Sequence, residues 1–213
     1  ATSRLLTGYV FYRQKRRRDE RRDEREQKKC QEKRKCNKRA KDKGEEEGLH
    51  TRYKCRIRKP WYVVPSVYST PIGMLKRSHN FPRLILNTAG AYTTDTAYRI
   101  RVNSEEIGPE NFVYSFVNSL TALTAELEGR HYGGGVLELV PSEIEKLLIP
   151  IAKKSRYDLS ALDQVIRNSP GPDALLRQQD SEVLAGAGVS KKDIAILHQA
   201  WLKVRTRRHR LLS

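Results

Sequence analysis

From Arg13 to Lys43 the chain offers almost nothing that a folded core would accept: only Cys30, Cys36 and Ala40 interrupt a run of charged and polar side chains. Ordering a residue costs about 1–2 kcal/mol of backbone entropy, and a segment without apolar surface to bury has nothing to offset it. The run is therefore expected to be disordered or a solvated single helix. Lys, Arg, Glu and Gln are good helix formers, and pairs such as Glu24 with Lys28 stand at i,i+4 spacing. Its reading stays open between a basic arm that grips phosphates nonspecifically and a solvated linker or damaged reading frame.

Charge divides the chain between Lys59 and Pro60. Arg4 to Lys59 carries 23 Lys/Arg against 10 Asp/Glu, a net of +13, whereas Pro60 to Ser213 carries 19 against 15, a net of +4. A field of that sign attracts polyanions, because each neutralised phosphate releases condensed counterions. No apolar run approaches the roughly 20 residues needed to span a membrane, and Leu5 to Tyr12 is too short for a signal peptide. The expected setting is cytoplasmic, with no membrane partner. The chain starts at Ala1 rather than Met, which points to a fragment, a processed product or an incomplete reading frame. Cys30, Cys36 and Cys55 read as reduced thiols, because their count is odd and no secretory signal is visible, and the C-x5-C spacing is long for a zinc site with His50.

Order is expected from about Tyr53. Trp61 to Pro65 and Arg83 to Leu86 read as short strands. Thr93 to Val102 alternates, with Thr94, Thr96, Tyr98, Ile100 and Val102 on one face and Asp95, Arg99 and Arg101 on the other. Gly108-Pro109 opens a helix whose apolar stripe runs from Phe112 to Leu127 and stops at Gly129. Val136 to Leu139 is a strand candidate. Ser142 and Glu145 have capping-box spacing, so Glu143 and Glu145 read as helix-start residues rather than a catalytic carboxylate pair. Helices are expected at about Asp158–Asn168 and Asp173–Leu184. A third starts at Ser190 with Asp193, carries the stripe Ile194, Leu197, Trp201, Val204, and ends in the basic run Lys203 to Arg210. The fold class is α+β: a charged arm over 1–43, a small mixed β/α region over 44–152 and a helical region over 153–213.

Catalytic motifs are missing. The histidines fit no metal-ligand pattern such as H-E-x-x-H, no G-x-S-x-G elbow occurs, and no P-loop occurs. The single glycine cluster, Gly133 to Gly135, lies between a helix and a short strand. No catalytic residue and no metal site is assigned.

Three ordered blocks carry a resemblance. The first runs from Tyr53 to Ser66. The second is Phe81-Pro82-Arg83-Leu84-Ile85-Leu86-Asn87 with Thr94-Asp95-Thr96 and Arg99-Ile100-Arg101. The third is Asn118-Ser119-Leu120-Thr121, then Glu126-Leu127-Glu128-Gly129-Arg130 and Tyr132 to Leu139, ending Pro141-Ser142-Glu143. Together they resemble the C-terminal half of adenine-specific (N6) DNA methyltransferases of bacterial restriction-modification systems, the Eco57I-like, gamma-arranged class, over about Gly44 to the end. The resemblance implies a division of labour, with an upstream domain binding S-adenosylmethionine and carrying out transfer while the downstream part grips the duplex and reads its target. This chain matches the downstream part. It lacks the glycine-rich cofactor loop and the Pro-Pro-aromatic motif of the catalytic half, so it is expected to bind no cofactor and to be inactive alone. The implied partners are double-stranded DNA, a methyltransferase catalytic domain or subunit, and a cognate restriction endonuclease. The competing readings are a basic RNA- or ribosome-associated binding protein and an unrecognised hydrolase or nuclease.

Candidate DNA contacts follow from residue type. Arg56, Arg58, Lys59, Trp61 and Tyr62 interleave cations with aromatics, as phosphate clamping plus base or sugar contact requires, or else form a solvated strand edge. Lys76, Arg77 and Asn80 lie in a polar basic loop that either reads base edges or is simply solvated. Arg99 and Arg101 either contact phosphate with Asp95 orienting them, or pair internally. Gly133, Gly134 and Gly135 either cradle a phosphate with backbone N–H groups or form a tight packing turn.

Overall fold

A computed structural model describes residues 38–63, 68–104, 106–151, 158–168 and 171–210. They fall into two compact units, one within Lys15–Tyr68 and the other within Ser69–Ser213. Among the described residues the fold is α+β, with eight α-helices and two small antiparallel sheets.

Among the described residues the smaller unit opens with α1 (Lys38–Glu46), earlier than the expected onset of order near Tyr53; the rest of the charged run lies outside the described residues. Ion pairs at i,i+4 spacing, Lys41–Glu45 at 3.5 Å and Lys43–Glu47 at 3.7 Å, line its surface. A 3-10 turn (Leu49–Thr51) and the short α2 (Tyr53–Arg56) follow. The expected strand at Trp61 does not form, since Trp61 and Tyr62 sit in a turn; Val64 and Pro65 lie outside the described residues. Trp61 packs onto α1 instead. A Cβ on Gly44 would stand 2.6 Å from the indole Cη2, so only glycine leaves room for the ring. The indole Nε1 donates to Glu45 at 3.1 Å.

In the larger unit β1 (Ile72–Leu75) is the centre of the first sheet, with β3 (Leu84–Leu86) and β4 (Ala97–Ile100) antiparallel on either side. Gly73 faces Ile85 on one neighbour and Arg99 on the other. Ile72, Met74, Leu84 and Ile100 point into the core, with Tyr98 and Val102 packed against it, as the alternation of Thr93–Val102 requires. Past Lys76 the same chain continues as β2 (Arg77–Ser78), which joins a second sheet with β6 (Val136–Glu138) and β5 (Arg130–Tyr132). Lys76 is the crossover: its N–H bonds to Thr96 O at 3.2 Å in the first sheet, and its carbonyl accepts from Leu139 N at 3.1 Å in the second. The stretch expected to be a polar loop at Lys76–Asn80 is thus partly a strand.

The helix expected from Gly108 to Gly129 is two helices, α3 (Pro109–Ser115) and α4 (Ser119–Glu128). Asn118 breaks the run. Its backbone is extended, its Oδ1 accepts from Thr121 N at 2.9 Å, and its Nδ2 donates to Ser115 O at 2.7 Å. A side chain that caps the next helix and ties off the previous one outweighs a continuous stripe. Gly129 ends α4 as expected; a Cβ there would lie 2.7 Å from both Ala125 O and Leu137 Cδ1. The short α5 (Pro141–Ile144) starts at Val140, not Ser142, because Pro141 occupies the first helical position and Glu143, not Glu145, reaches back to accept from Val140 N at 2.8 Å. The three C-terminal helices match expectation: α6 (Leu159–Arg167) is capped by Asp158, α7 spans Pro172–Gly186, and α8 (Lys191–Arg210) starts where Ser190 Oγ accepts from Asp193 N at 3.1 Å. One core lies under the sheets against Phe112, Val113 and Phe116; a second joins Phe81, Tyr114, Val117, Leu162 and Leu176 around the fully buried Trp201.

Candidate nucleic-acid interface

α8 is unusual in what it buries. Its stripe of Ile194, Leu197 and Trp201 continues at helical spacing into Arg208, whose side chain is 0% exposed. Arg208 grips Glu126 of α4, also 0% exposed, through two parallel bonds, Nε to Oε2 at 2.8 Å and Nη2 to Oε1 at 2.7 Å. This fork-on-carboxylate geometry is the strong form of an ion pair. The guanidinium has donors left over, and it spends them on three backbone carbonyls. Nη1 donates to Gly135 O in the β5–β6 turn, and Nη2 to His79 O at 3.0 Å and Asn80 O at 3.3 Å in the loop after β2. One side chain thus holds together the end of α8, the last turn of α4, the glycine turn and the His79–Asn80 loop.

The rim of this pin is polar and basic. Arg205 Nη2 donates to Asn80 Oδ1 at 2.8 Å while its guanidinium lies 5.7 Å from the centre of the Trp201 ring. Burial, and then the charge of Arg208, lower the pKa of Arg205. His209 Nε2 lies 3.1 Å from His79 O, and burial followed by the two arginines pushes its pKa down. Lys203, Thr206, Arg207 and Arg210 are exposed along the outer face of α8, at spacings that place them on one side.

The residues singled out from sequence separate into three places. Lys76, Arg77, Asn80 and Gly133–Gly135 are brought together by the β2–β6 pairing and by Arg208. Within that group Lys76 Nζ lies 5.1 Å from the Tyr98 ring centroid, and Arg77, 70% exposed, pairs with Glu138 at 2.8 Å. Gly134 and Gly135 adopt φ of 79° and 67°, so the turn needs glycine, and the Gly135 carbonyl is taken by Arg208. Arg99 on β4 and Arg101 just beyond it are half-buried on the first sheet. Asp95 is exposed in the turn before β4. Arg56, Arg58, Lys59, Trp61 and Tyr62 belong to the smaller unit, where Arg52, Lys54, Arg56, Arg58 and Lys59 crowd eight residues without an acidic partner among them. Trp61 commits its N–H to Glu45, whereas Arg56, Lys59 and Tyr62 remain exposed.

Sequence reasoning missed Arg208, Arg205 and Glu126. A signal existed for the first: Arg208 stands seven residues after Trp201, on the same helical face, so a cation occupies a core position. Glu126, four residues after the buried Ala122, is the matching acid on α4.

A second buried polar set sits nearby and resembles a nucleophilic triad. Ser119 Oγ lies 2.8 Å from His198 Nδ1, and His198 Nε2 lies 2.6 Å from Asp173. Its geometry excludes attack on a substrate. Ser119 is fully buried, and its hydroxyl donates to Asp180 at 2.6 Å, with the Ser119 N–H donating to the same carboxylate at 2.7 Å. Asp180 therefore satisfies the start of α4, and the set locks α4, α7 and α8. Burial raises the pKa of Asp180 against the pull of Ser119, while the hydrogen bond from His198 lowers that of Asp173. The Gly133–Gly135 turn does not fit a cofactor loop either: it joins two antiparallel strands rather than a strand and a helix, and Arg208 occupies its inner carbonyl. Among the described residues no cluster has the makings of a metal site, and no helix is long and apolar enough to cross a membrane.

A family model described as type II methyltransferase M.Eco57I, C-terminal domain, matches residues 1–184. The match takes in the charged run that the sequence blocks left aside and stops within α7, short of α8. No curated protein and no solved structure matches the chain.

Proposed function

The chain belongs to the family of the type II methyltransferase M.Eco57I C-terminal domain, and from that premise we propose that it is the part of a DNA methyltransferase that binds the duplex and selects the target sequence. The observation that carries this reading is the Arg208 pin. A buried ion pair is not a cheap source of stability, and a hydrophobic pair of equal volume generally serves as well. Its use here goes with position: it fixes a glycine turn, a polar loop and the basic end of α8 as one rigid surface. Rigid presentation of cations and amide groups is what a groove reader requires. The exposed Lys203 and Arg207 beside it suit phosphates, and Asn80 and Arg205 suit base edges. The cation-rich segment Arg52–Lys59 of the smaller unit supplies further phosphate contacts, and Lys76, Arg77, Arg99 and Arg101 are candidates of the same kind.

In this reading methyl transfer to adenine N6, with S-adenosylmethionine as donor, is carried out by a separate catalytic domain. A cognate restriction endonuclease reads the same site, and the system works in the cytoplasm. Fluorescence anisotropy with labelled duplexes and RNA tests the proposal. Duplex DNA should win over RNA of the same sequence at moderate salt. Lys203→Ala and Arg207→Ala should each flatten the salt dependence by about one unit of log K per log salt. Equal binding of RNA and duplex would refute it.

A further inference from the structure

Asn80 and Arg205 form a contact whose chemistry is one-sided. Arg205 has five N–H donors and no acceptor, so the Asn80 amide must turn its Oδ1 toward it, at 2.8 Å. That choice leaves the Asn80 Nδ2 hydrogens facing away. The Asn80 backbone is fixed as well, because its carbonyl accepts from Arg208 at 3.3 Å. Arg205 is held from below by the Trp201 ring. The pair lies at the rim, with Asn80 exposed and Arg205 half-buried, and it presents donors only: the Nη hydrogens of Arg205 not used by Asn80, its Nε being buried, and one amide NH2.

We propose that Arg205 and Asn80 together read a guanine in the recognised duplex, an inference that rests on the recognition function proposed above. In the major groove guanine is the base that shows two adjacent acceptors, N7 and O6, and no donor. Adenine sets its N6 donor beside N7, and cytosine offers N4 as a donor, so either would confront donor with donor. Thymine offers one acceptor. A phosphate shares guanine's acceptor-only chemistry, as does the A·T minor groove, and the arms of the experiment separate these.

The full chain selects duplexes from a random pool, and the enriched site is rebuilt with 7-deazaguanine at each guanine in turn. This replacement removes N7 from the major groove and leaves phosphates and the minor groove intact. One position should lose affinity by roughly ten- to hundredfold. Arg205→Lys, which keeps the charge but not the fork, should relax selection at that position and leave the others sharp. Asn80→Asp turns the outward donor into an acceptor and should shift the position from guanine toward a base with a major-groove donor. Tolerance of 7-deazaguanine at every position overturns the inference without any variant having to fold. A uniform loss of affinity in Arg205→Lys with an unchanged site also overturns it, in favour of a phosphate contact. A parent chain that enriches no sequence contradicts the recognition function itself, a different outcome from either.

Discussion

Replacing Arg208 by alanine removes one partner of a fully desolvated ion pair. Glu126 is 0% exposed, and its remaining contact is the imidazole of His131 at 3.5 Å, so the carboxylate is left stranded. Breaking such a pair costs about 3–5 kcal/mol. The carbonyls of Gly135, His79 and Asn80 lose their donor too, but the last two lie at the surface and can turn to water. Those two losses add little, but Gly135 is buried and its orphaned carbonyl costs about 1 kcal/mol or more, so about 3–5 kcal/mol is the lower end of the expected total. For a chain of this size each kcal/mol shifts Tm by about 2–4 °C, so the variant should melt roughly 6–20 °C or more below the parent. Glu126→Gln should fall in the same direction, leaving the guanidinium buried without its anion. The double variant Arg208→Met/Glu126→Leu should recover much of the loss, because a hydrophobic pair needs no counter-charge. It should still bind duplex less well, since nothing then ties the glycine turn and the His79–Asn80 loop to α8. Thermal and urea melts followed by circular dichroism read the stability, and anisotropy at a temperature where every variant is folded reads the affinity. A loss under about 1 kcal/mol for Arg208→Ala would place the guanidinium in solvent and refute the argument.

Three further outcomes are expected. Gly129→Ala should destabilise by about 1–3 kcal/mol, since the new Cβ meets a backbone carbonyl and Leu137; Gly133→Ala, which meets nothing, should stay within about 0.5 kcal/mol by the same melts. Asn118→Ala should cost about 2 kcal/mol, because it removes a buried cap as well as its bond to Ser115, and the helical circular dichroism signal should fray at lower urea. Acid should weaken the fold. Hydrogen bonding from His198 lowers the pKa of Asp173, and in Glu143 the Val140 N–H and Arg130 outweigh the upward pull of burial. Carboxylates with folded-state pKa values below their unfolded ones contribute fully above the ordinary value near 4 and lose that contribution as pH falls through the folded pKa. Asp180, raised by burial, contributes with the opposite sign. Stability measured from pH 6 downward should therefore drop more steeply in the parent than in Asp173→Asn or Glu143→Gln.

What the sequence disclosed, and what it hid, follows from how local each signal is. Asp158, Ser190 and Pro172 mark helix starts with their own side chains, so α6, α7 and α8 were legible. The alternation around Tyr98 and Ile100 showed β4. The central strand β1 was not legible, since Pro71 and Gly73 disguise a four-residue run whose partners lie 10 to 28 residues away. The third of the blocks that carry the family resemblance contains Asn118, Ser119, Thr121 and Glu126, and the structure buries all four. Their polarity serves caps and ion pairs inside the protein, not contact with a partner. Polar residue type in sequence cannot distinguish these uses, because the distinction depends on an arginine 82 residues away in the case of Glu126. The Lys76, Arg77, Asn80 and Gly133–Gly135 group was named from residue type alone, but the reason these segments meet, Arg208, lay hidden in the basic run Arg205–Arg210.

Joining the chain to a competent adenine methyltransferase half, and mapping methylated adenines along bacterial genomic DNA by long-read sequencing, tests the assignment most directly. Methylation should concentrate at one short sequence, and that sequence should change when this chain is exchanged for another of its family. Methylation scattered without a shared motif, or a motif indifferent to the exchange, would mean that target choice resides elsewhere.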